Sequence, residues 1–263
     1  MPELPDVEGY RNVLESCASG REIRRVEVRD AGVLHEIGAR GLAAALEGWR
    51  FGVPERRGKW LLARTDGEPT LLLHFGMTGQ LVCAGPRDAV QAYDRVLITT
   101  VDERQLRFRD QRKLQGLWLA RDESDVDRLL GDQGPDAARI GGDEFEALLA
   151  SRRGRLKPTL TDQTVVAGLG NLLADEILWR ARLRPDSRPN ALSHAERRHL
   201  YTQMRSTLRS AVAAGCVPPR ESWLTGHRDD VEPTCPRCGN PLRRTRMAGR
   251  GTVWCPHCQA NRP

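Results

Sequence analysis

The sequence predicts an α+β fold: a strand-rich N-terminal part, a helical part after it, and a small cysteine-bearing unit last. Three observations carry this reading. Short segments with alternating or β-branched residues recur at 22–29, 49–53, 59–64, 70–75, 79–83, 95–101, 104–109 and 115–120. Turn-rich pieces such as 65–69 and 83–88 punctuate them. From residue 143 onward the apolar residues fall at helical spacing, and two CxxC pairs close the sequence. Strands this short and regular form an antiparallel sandwich or barrel, because one apolar sheet face must be covered by a second layer.

Residues 5–17 lead with a helix, with Val7, Val13 and Leu14 on one face and Pro5 suited to the first turn. Residues 121–142 are acidic and glycine-punctuated and read as a linker. A helix over 143–152 starts at an Asp143 cap and places Phe145, Leu148 and Leu149 together. A short helical piece follows near 157–162, then a helix over 171–181. The next, over 193–214, has Ser193 as cap and Glu196 at the capping-box position.

Charge divides the same way. Residues 1–150 hold 21 Lys+Arg against 26 Asp+Glu, a net of −5, whereas 151–263 hold 20 against 9, a net of +11. A basic C-terminal half suits a polyanion. Only Lys59, Lys113 and Lys157 are lysines among 41 basic residues, which singles out positions where a compact ammonium differs from a guanidinium. No targeting segment or membrane-length apolar run is found, which points to a cytoplasmic protein.

Four of the seven cysteines form Cys235-Pro-Arg-Cys238 and Cys255-Pro-His-Cys258. Each CxxC turn bends two thiolates toward one point, and two such turns complete a tetrahedral structural zinc site. Cys17, Cys83 and Cys216 are scattered and read as small buried hydrophobes. Between the pairs, residues 243–252 read as a β-hairpin whose tip carries Arg250 between two glycines, placed to approach phosphate.

An initiator methionine before proline is normally removed, which would leave Pro2 as a secondary amine. Such an amine attacks an aldehyde-like carbon and forms an iminium, an electron sink for elimination. The adjoining helix start disfavours its ammonium form.

Five ordered blocks now converge. The sequence of residues 2–8 (PELPDVE), 57–62 (RGKWLL), 74–79 (HFGMTG), 163–185 (with VAGLGN at 166–171) and the finger with AGRGT at 248–252 resembles the formamidopyrimidine-DNA glycosylase/endonuclease VIII family across residues 2–258. The resemblance implies an N-terminal antiparallel β-sandwich with flanking helices (1–120), the linker (121–142), a helix–two-turns–helix domain (143–226) and a zinc-ribbon hairpin (227–263). It implies a base-excision-repair enzyme acting on damaged double-stranded, or single-stranded, DNA as a monomer, with one structural zinc.

Roles follow by the same resemblance. Pro2 would attack C1′ and displace the damaged base, and β/δ-elimination would follow from the Schiff base. Glu3 would serve as acid/base. Lys59 would bind phosphate and assist proton transfer. Asn171 and Arg250 would grip phosphates beside the extruded nucleotide, with Lys157 near the base pocket or its phosphate and Arg152 as a further contact. Met77, Arg112 and Leu114 would fill the hole left in the duplex.

The match has departures. Leu114 replaces an aromatic wedge, Gln111 a proline and Asp6 a glutamate, while Tyr93 stands where a DNA-contacting histidine is common. Only eighteen residues, 217–234, join the last long helix to Cys235, which shortens the segment that caps 8-oxoguanine in purine-type members. That favours oxidised pyrimidines or hydantoins. The competing classes are a non-catalytic lesion-binding protein of the same fold and a plain zinc-ribbon nucleic-acid module.

Overall fold

The computed structural model describes residues 2–260. Met1 and residues 261–263 lie outside the described residues. The chain divides into two compact units, one of Met1–Pro2 with Asp6–Gly131, the other of Glu3–Pro5 with Asp132–Pro263.

The first unit holds two four-stranded antiparallel sheets. One has the order β1 (Ile23–Val28), β6 (Asp94–Thr100), β7 (Gln105–Arg109), β5 (Gln80–Ala84). The other runs β2 (Glu55–Arg57), β3 (Trp60–Arg64), β4 (Thr70–His74), β8 (Leu117–Ala120). Alternation explains how they pack. Leu61, Ala63, Leu71 and Leu73 join one core with Val96, Ile98, Leu106 and Phe108 of the opposite sheet. Leu62 and Leu72 point the other way and join Ala120, Val126 and Leu130. The run Leu71–Leu73 is apolar throughout because both of its faces are covered.

That second cover is α3 (Glu123–Leu130), within the segment 121–142 read from sequence as a linker. The Asp122 carboxylate caps it by accepting from the Asp125 amide, and its acidic outer face masks the Val126/Leu130 stripe. α1 (Leu4–Ala18) and α2 (Ala39–Leu46) contribute Val7, Leu14, Leu42 and Leu46 to the larger core. The strand expected over 49–53 reduces to isolated bridges at Arg50 and Phe51.

The cysteine reading needs correction here. Cys17 on α1 and Cys83 on β5 are not two buried hydrophobes but partners in a disulfide, with Cα atoms 5.7 Å apart. Cys17 is buried and Cys83 exposed. They lie 66 residues apart, and only the packing of α1 beside β5 brings them together. Cys216 is half-buried.

The second unit is helical: α4 (Gly142–Ala150), α5 (Leu156–Thr161), α6 (Asn171–Ala181), α7 (His194–Ala214) and the single turn α8 (Leu224–His227). Phe145, Leu149, Leu160, Leu173, Ile177, Leu200, Met204 and Leu208 form its core, which also takes in Leu4. The Ser193/Glu196 capping box is present at the start of α7, a feature worth about 1 kcal/mol. α6 ends on Arg182 in the left-handed conformation. The antiparallel hairpin β9 (Arg243–Met247) and β10 (Arg250–Trp254) completes the unit. Its two-residue turn is Ala248–Gly249, both with positive φ, as the twist of a tight hairpin requires. Arg250 therefore opens β10 opposite Met247 and is not the tip itself.

Candidate active site and zinc centre

The helix-opening segment 163–171 forms a cradle around the first residues of the chain. Glu3 is fully buried in the second unit. Its Oε1 accepts from the Leu172 amide at 2.8 Å, and its Oε2 from the amides of Gly170 at 3.0 Å and Leu173 at 3.1 Å. These amides are among those an α-helix leaves without internal partners at its N-terminus, where the helix dipole also stabilises negative charge. Next to it the Leu4 amide donates to the Gly168 carbonyl at 3.1 Å. Gly168 adopts φ +105° and its position admits no side chain, since a Cβ there would stand 2.6 Å from Leu4. The two glycines of the VAGLGN segment thus make room for Glu3 and Leu4. Pro2, half-buried, directly precedes this anchored carboxylate.

In the first unit, Gly58 and Lys59 form the two-residue turn between β2 and β3, with glycine's positive φ at its first position. Lys59 is half-buried there. His74 pairs across the strands with Trp60, edge to face at 4.9 Å, and its Nδ1 accepts from the Gly76 amide at 3.2 Å. Burial, with the Lys59 ammonium adding to it, lowers the His74 pKa to about 4. His74 is therefore a neutral, packed histidine.

Two loops of the same unit carry the expected wedge. Met77 (43 % exposed) and Leu114 (48 % exposed) stand out from it, and the Arg112 guanidinium reaches the Met77 sulfur at 3.0 Å. Tyr93 is also exposed, with the Arg95 guanidinium 5.4 Å from its ring centroid. Sequence reasoning missed the residue that ties the loops together. Asp110, buried, accepts from the Thr78 hydroxyl at 2.5 Å and from the Arg112 and Lys113 amides at 3.1 Å each. The Arg112 amide also donates to the Thr78 hydroxyl at 3.1 Å. An aspartate three residues before a left-handed Lys113 was the available signal.

The basic residues of the second unit sort differently. Arg152 is exposed. Asn171 is the first residue of α6, and its Oδ1 is buried without a hydrogen-bond partner among the described residues. Arg250 is exposed, with one guanidinium nitrogen donating to the Thr161 hydroxyl at 2.8 Å.

Lys157 must be reassigned. It is 1 % exposed, and its ammonium meets the Asp175 carboxylate at 2.7 Å, the Gly251 carbonyl at 2.9 Å and the Thr252 hydroxyl at 2.9 Å. Three donors have three internal partners, so none remains for phosphate. Asp175 also pairs with Arg228 and accepts from the Val253 amide. Burial pushes the Lys157 ammonium down and the Asp175 carboxyl up, each against the pull of its partner. The cluster fastens β10, and with it Arg250, to α5 and α6.

The sulfurs of Cys235, Cys238, Cys255 and Cys258 lie within 4.8 Å of one another. Donors already address three of them: the Trp179 indole N–H to Cys235 at 3.3 Å, the Asn240 side-chain amide to Cys238 at 3.3 Å, and the Cys258 amide to Cys255 at 3.3 Å. Such bonds suit thiolates, so the donor set fits one structural zinc with a closed shell.

A β-sandwich unit, a helical unit gripping a buried N-terminal carboxylate and a four-cysteine zinc hairpin together define a zinc-finger enzyme of nucleic acids. The comparisons make this specific. Residues 1–117 match the formamidopyrimidine-DNA glycosylase N-terminal domain, 131–218 the H2TH domain of the same family, and 233–261 the zinc finger found in FPG and IleRS. The chain is 36 % identical to the formamidopyrimidine-DNA glycosylase of Halorhodospira halophila, covering 98 % of this chain and 100 % of the relative. It is 34 % identical to that of Heliobacterium modesticaldum, with the same coverage. Among solved structures it is similar to Lactococcus lactis FPG (MutM) in complex with FAPY-dG containing DNA, at 27 % identity and a TM-score of 0.88, covering 98 % of this chain and 100 % of that one. It is also similar to MutM in complex with carbocyclic 8-oxo-G containing DNA, at 28 % identity and a TM-score of 0.89, covering 99 % and 100 %. The chain belongs to the formamidopyrimidine-DNA glycosylase family, and is thereby an enzyme of the DNA glycosylase/AP lyase class.

Proposed function

We propose that this protein binds damaged double-stranded DNA as a monomer and excises oxidised bases with the Pro2 amine as nucleophile. The observation that carries the reading is the Glu3 carboxylate, buried and held by three amides immediately after Pro2. With Met1 removed, the Pro2 nitrogen attacks C1′ and the base departs. The Glu3 carboxylate takes the proton that the Pro2 nitrogen loses on attack and passes it to the sugar-ring oxygen, whose bond to C1′ breaks as the Schiff base forms, while the departing base takes its proton from water. β-Elimination and then δ-elimination cut the strand on either side. Its fixed position lets Glu3 act without the cost of ordering a mobile side chain.

The other residues support this chemistry. Lys59 on its tight turn offers a compact ammonium to phosphate and proton transfer. Asn171, Arg250 and Arg152 supply phosphate contacts. Met77, Arg112 and Leu114 fill the gap left by the extruded nucleotide, with Tyr93 as a further DNA contact. Extrusion costs a few kcal/mol, which such wedges offset. The structural zinc, held by the four cysteines, contributes folding energy to the hairpin that carries Arg250.

For substrate, oxidised pyrimidines or hydantoins are favoured over 8-oxoguanine. Supporting this, Trp223 in the short connection after α7 is 3 % exposed, lies in the helical core and is covered by the Arg180 guanidinium at 4.4 Å. It is thus engaged away from any base. The purine reading has its own support in the FAPY-dG and 8-oxo-G DNA of the similar structures.

Borohydride trapping on abasic-site DNA tests the enzyme reading. Wild-type protein should form a covalent complex and turn over repeatedly, whereas protein with a blocked N-terminus should trap none while keeping most of its DNA affinity. Trapping by an N-terminally blocked protein would remove Pro2 as nucleophile. Tight binding without turnover would leave a lesion-binding protein. Single-turnover rates on the three lesions in one duplex context decide the preference.

A further inference from the structure

We propose that Trp179 is a positioning residue of the zinc centre: its indole N–H holds the Cys235 thiolate, and this makes α6 a shared part of the metal site and of the Glu3 cradle. Trp179 sits near the C-terminal end of α6, 5 % exposed. Its Nε1 donates to Cys235 Sγ at 3.3 Å, both groups being buried. The Arg237 guanidinium, inside the first CxxC turn, lies 4.2 Å from the centre of the indole. Arg237 also donates to the Trp179 carbonyl at 3.0 Å, which satisfies one of the last carbonyls of the helix. The metal-binding knuckle therefore touches Trp179 at its ring edge, ring face and backbone.

The surroundings leave the indole one orientation. Leu224, Leu242 and Val253 pack with Trp179 and the cysteines in one small apolar cluster. An indole N–H buried among such groups needs an acceptor, and the Cys235 sulfur is the one it meets. An N–H···S bond withdraws charge from a thiolate, which steadies the ligand in its coordinating form and geometry. At the other end of the same helix, the amides of Leu172 and Leu173 hold Glu3. Six to seven residues of helix, roughly 10 Å of rigid backbone, separate these amides from Trp179.

The test uses the full-length protein and two replacements that remove the donor. Trp179→Phe keeps a ring under Arg237. Incorporating β-(3-benzothienyl)alanine at position 179 keeps the whole bicyclic volume but has no N–H. Zinc affinity, measured by competition with a chromophoric chelator, should fall about tenfold or more in both. In the cobalt-substituted protein the thiolate-to-metal charge-transfer band should move to lower energy, because a sulfur without its donor is easier to oxidise. Excess zinc should restore DNA binding, and Arg237→Met, which keeps the indole bond, should leave the band in place. Zinc affinity within twofold of wild type would overturn the proposal. So would weakened affinity with an unmoved band in the benzothienyl protein, which would assign Trp179 a packing role alone.

Discussion

Glu3 occupies the space in front of Gly170 so closely that a Cβ on residue 170 would stand 2.2 Å from the Glu3 carboxyl carbon. The glycine is therefore a condition for the carboxylate's position. Gly170→Ala should push Glu3 out of its three hydrogen bonds. If acid/base work by Glu3 is worth the usual factor, base excision should fall by roughly 10²-fold or more. Borohydride trapping on preformed abasic sites, which needs the Pro2 amine and no base departure, should survive better. Stopped single-turnover assays on a lesion and on an abasic site measure the two separately. Equal losses would mean that the substitution disturbs more than Glu3.

Lys157 separates a structural role from a DNA contact. Removing its ammonium leaves Asp175 buried with only part of its compensation, which costs about 3 kcal/mol when one partner of such a pair is lost. Lys157→Met should therefore lower the thermal midpoint by several degrees and weaken DNA binding through a displaced Arg250. A lost phosphate contact would instead reduce the slope of log affinity against log salt by about one unit, with stability unchanged. Calorimetry and a salt titration distinguish these outcomes.

Much of this was legible because local chemistry announces itself. The CxxC pairs and the Ser193/Glu196 box each follow from adjacent residues, and the structure shows both. What was hidden depends on distant partners. The Cys17–Cys83 disulfide, the enclosure of Lys157 by a strand some ninety residues on and the Asp110 bonds to Thr78 are products of packing. Burial of a lysine cannot be read from its neighbours. α3 was missed for a different reason, since three acidic residues, Glu123, Asp125 and Asp127, obscure a short apolar stripe.

The pH dependence of the first unit should carry the mark of His74. Its pKa in the fold, about 4, lies below its ordinary 6.5, so the unfolded chain binds the proton more readily. The stabilisation is present in full above pH 6.5 and is lost as pH falls through 6.5 toward 4. A shift of that size corresponds to at most about 3 kcal/mol. Nitrogen-15 NMR at pH 5.5 should find a neutral imidazole with Nδ1 as acceptor, and His74→Gln should flatten the acid limb of a stability–pH curve. A charged His74 at pH 5.5 would contradict the packing of Trp60 and Lys59 around it.

Asp110 offers the sharpest view of how the wedge is built. Its two carboxylate oxygens hold one loop through the Thr78 hydroxyl and the other through the amides of Arg112 and Lys113. Met77 and Arg112, which would enter the duplex, are thus prepositioned by a buried residue. Asp110→Ala should unlock both loops and leave the amides to solvent, at about 1–3 kcal/mol for the lost buried acceptor. A mobile wedge pays ordering entropy when it inserts, so base extrusion should slow more than affinity for undamaged DNA falls. Fluorescence of 2-aminopurine beside the lesion follows extrusion directly, and filter binding follows affinity. Asp110→Asn keeps an acceptor oxygen and the side-chain volume, and should recover part of the extrusion rate. If the alanine variant extrudes the base at the wild-type rate, the loops are held by packing, and the Asp110 bonds are incidental to them.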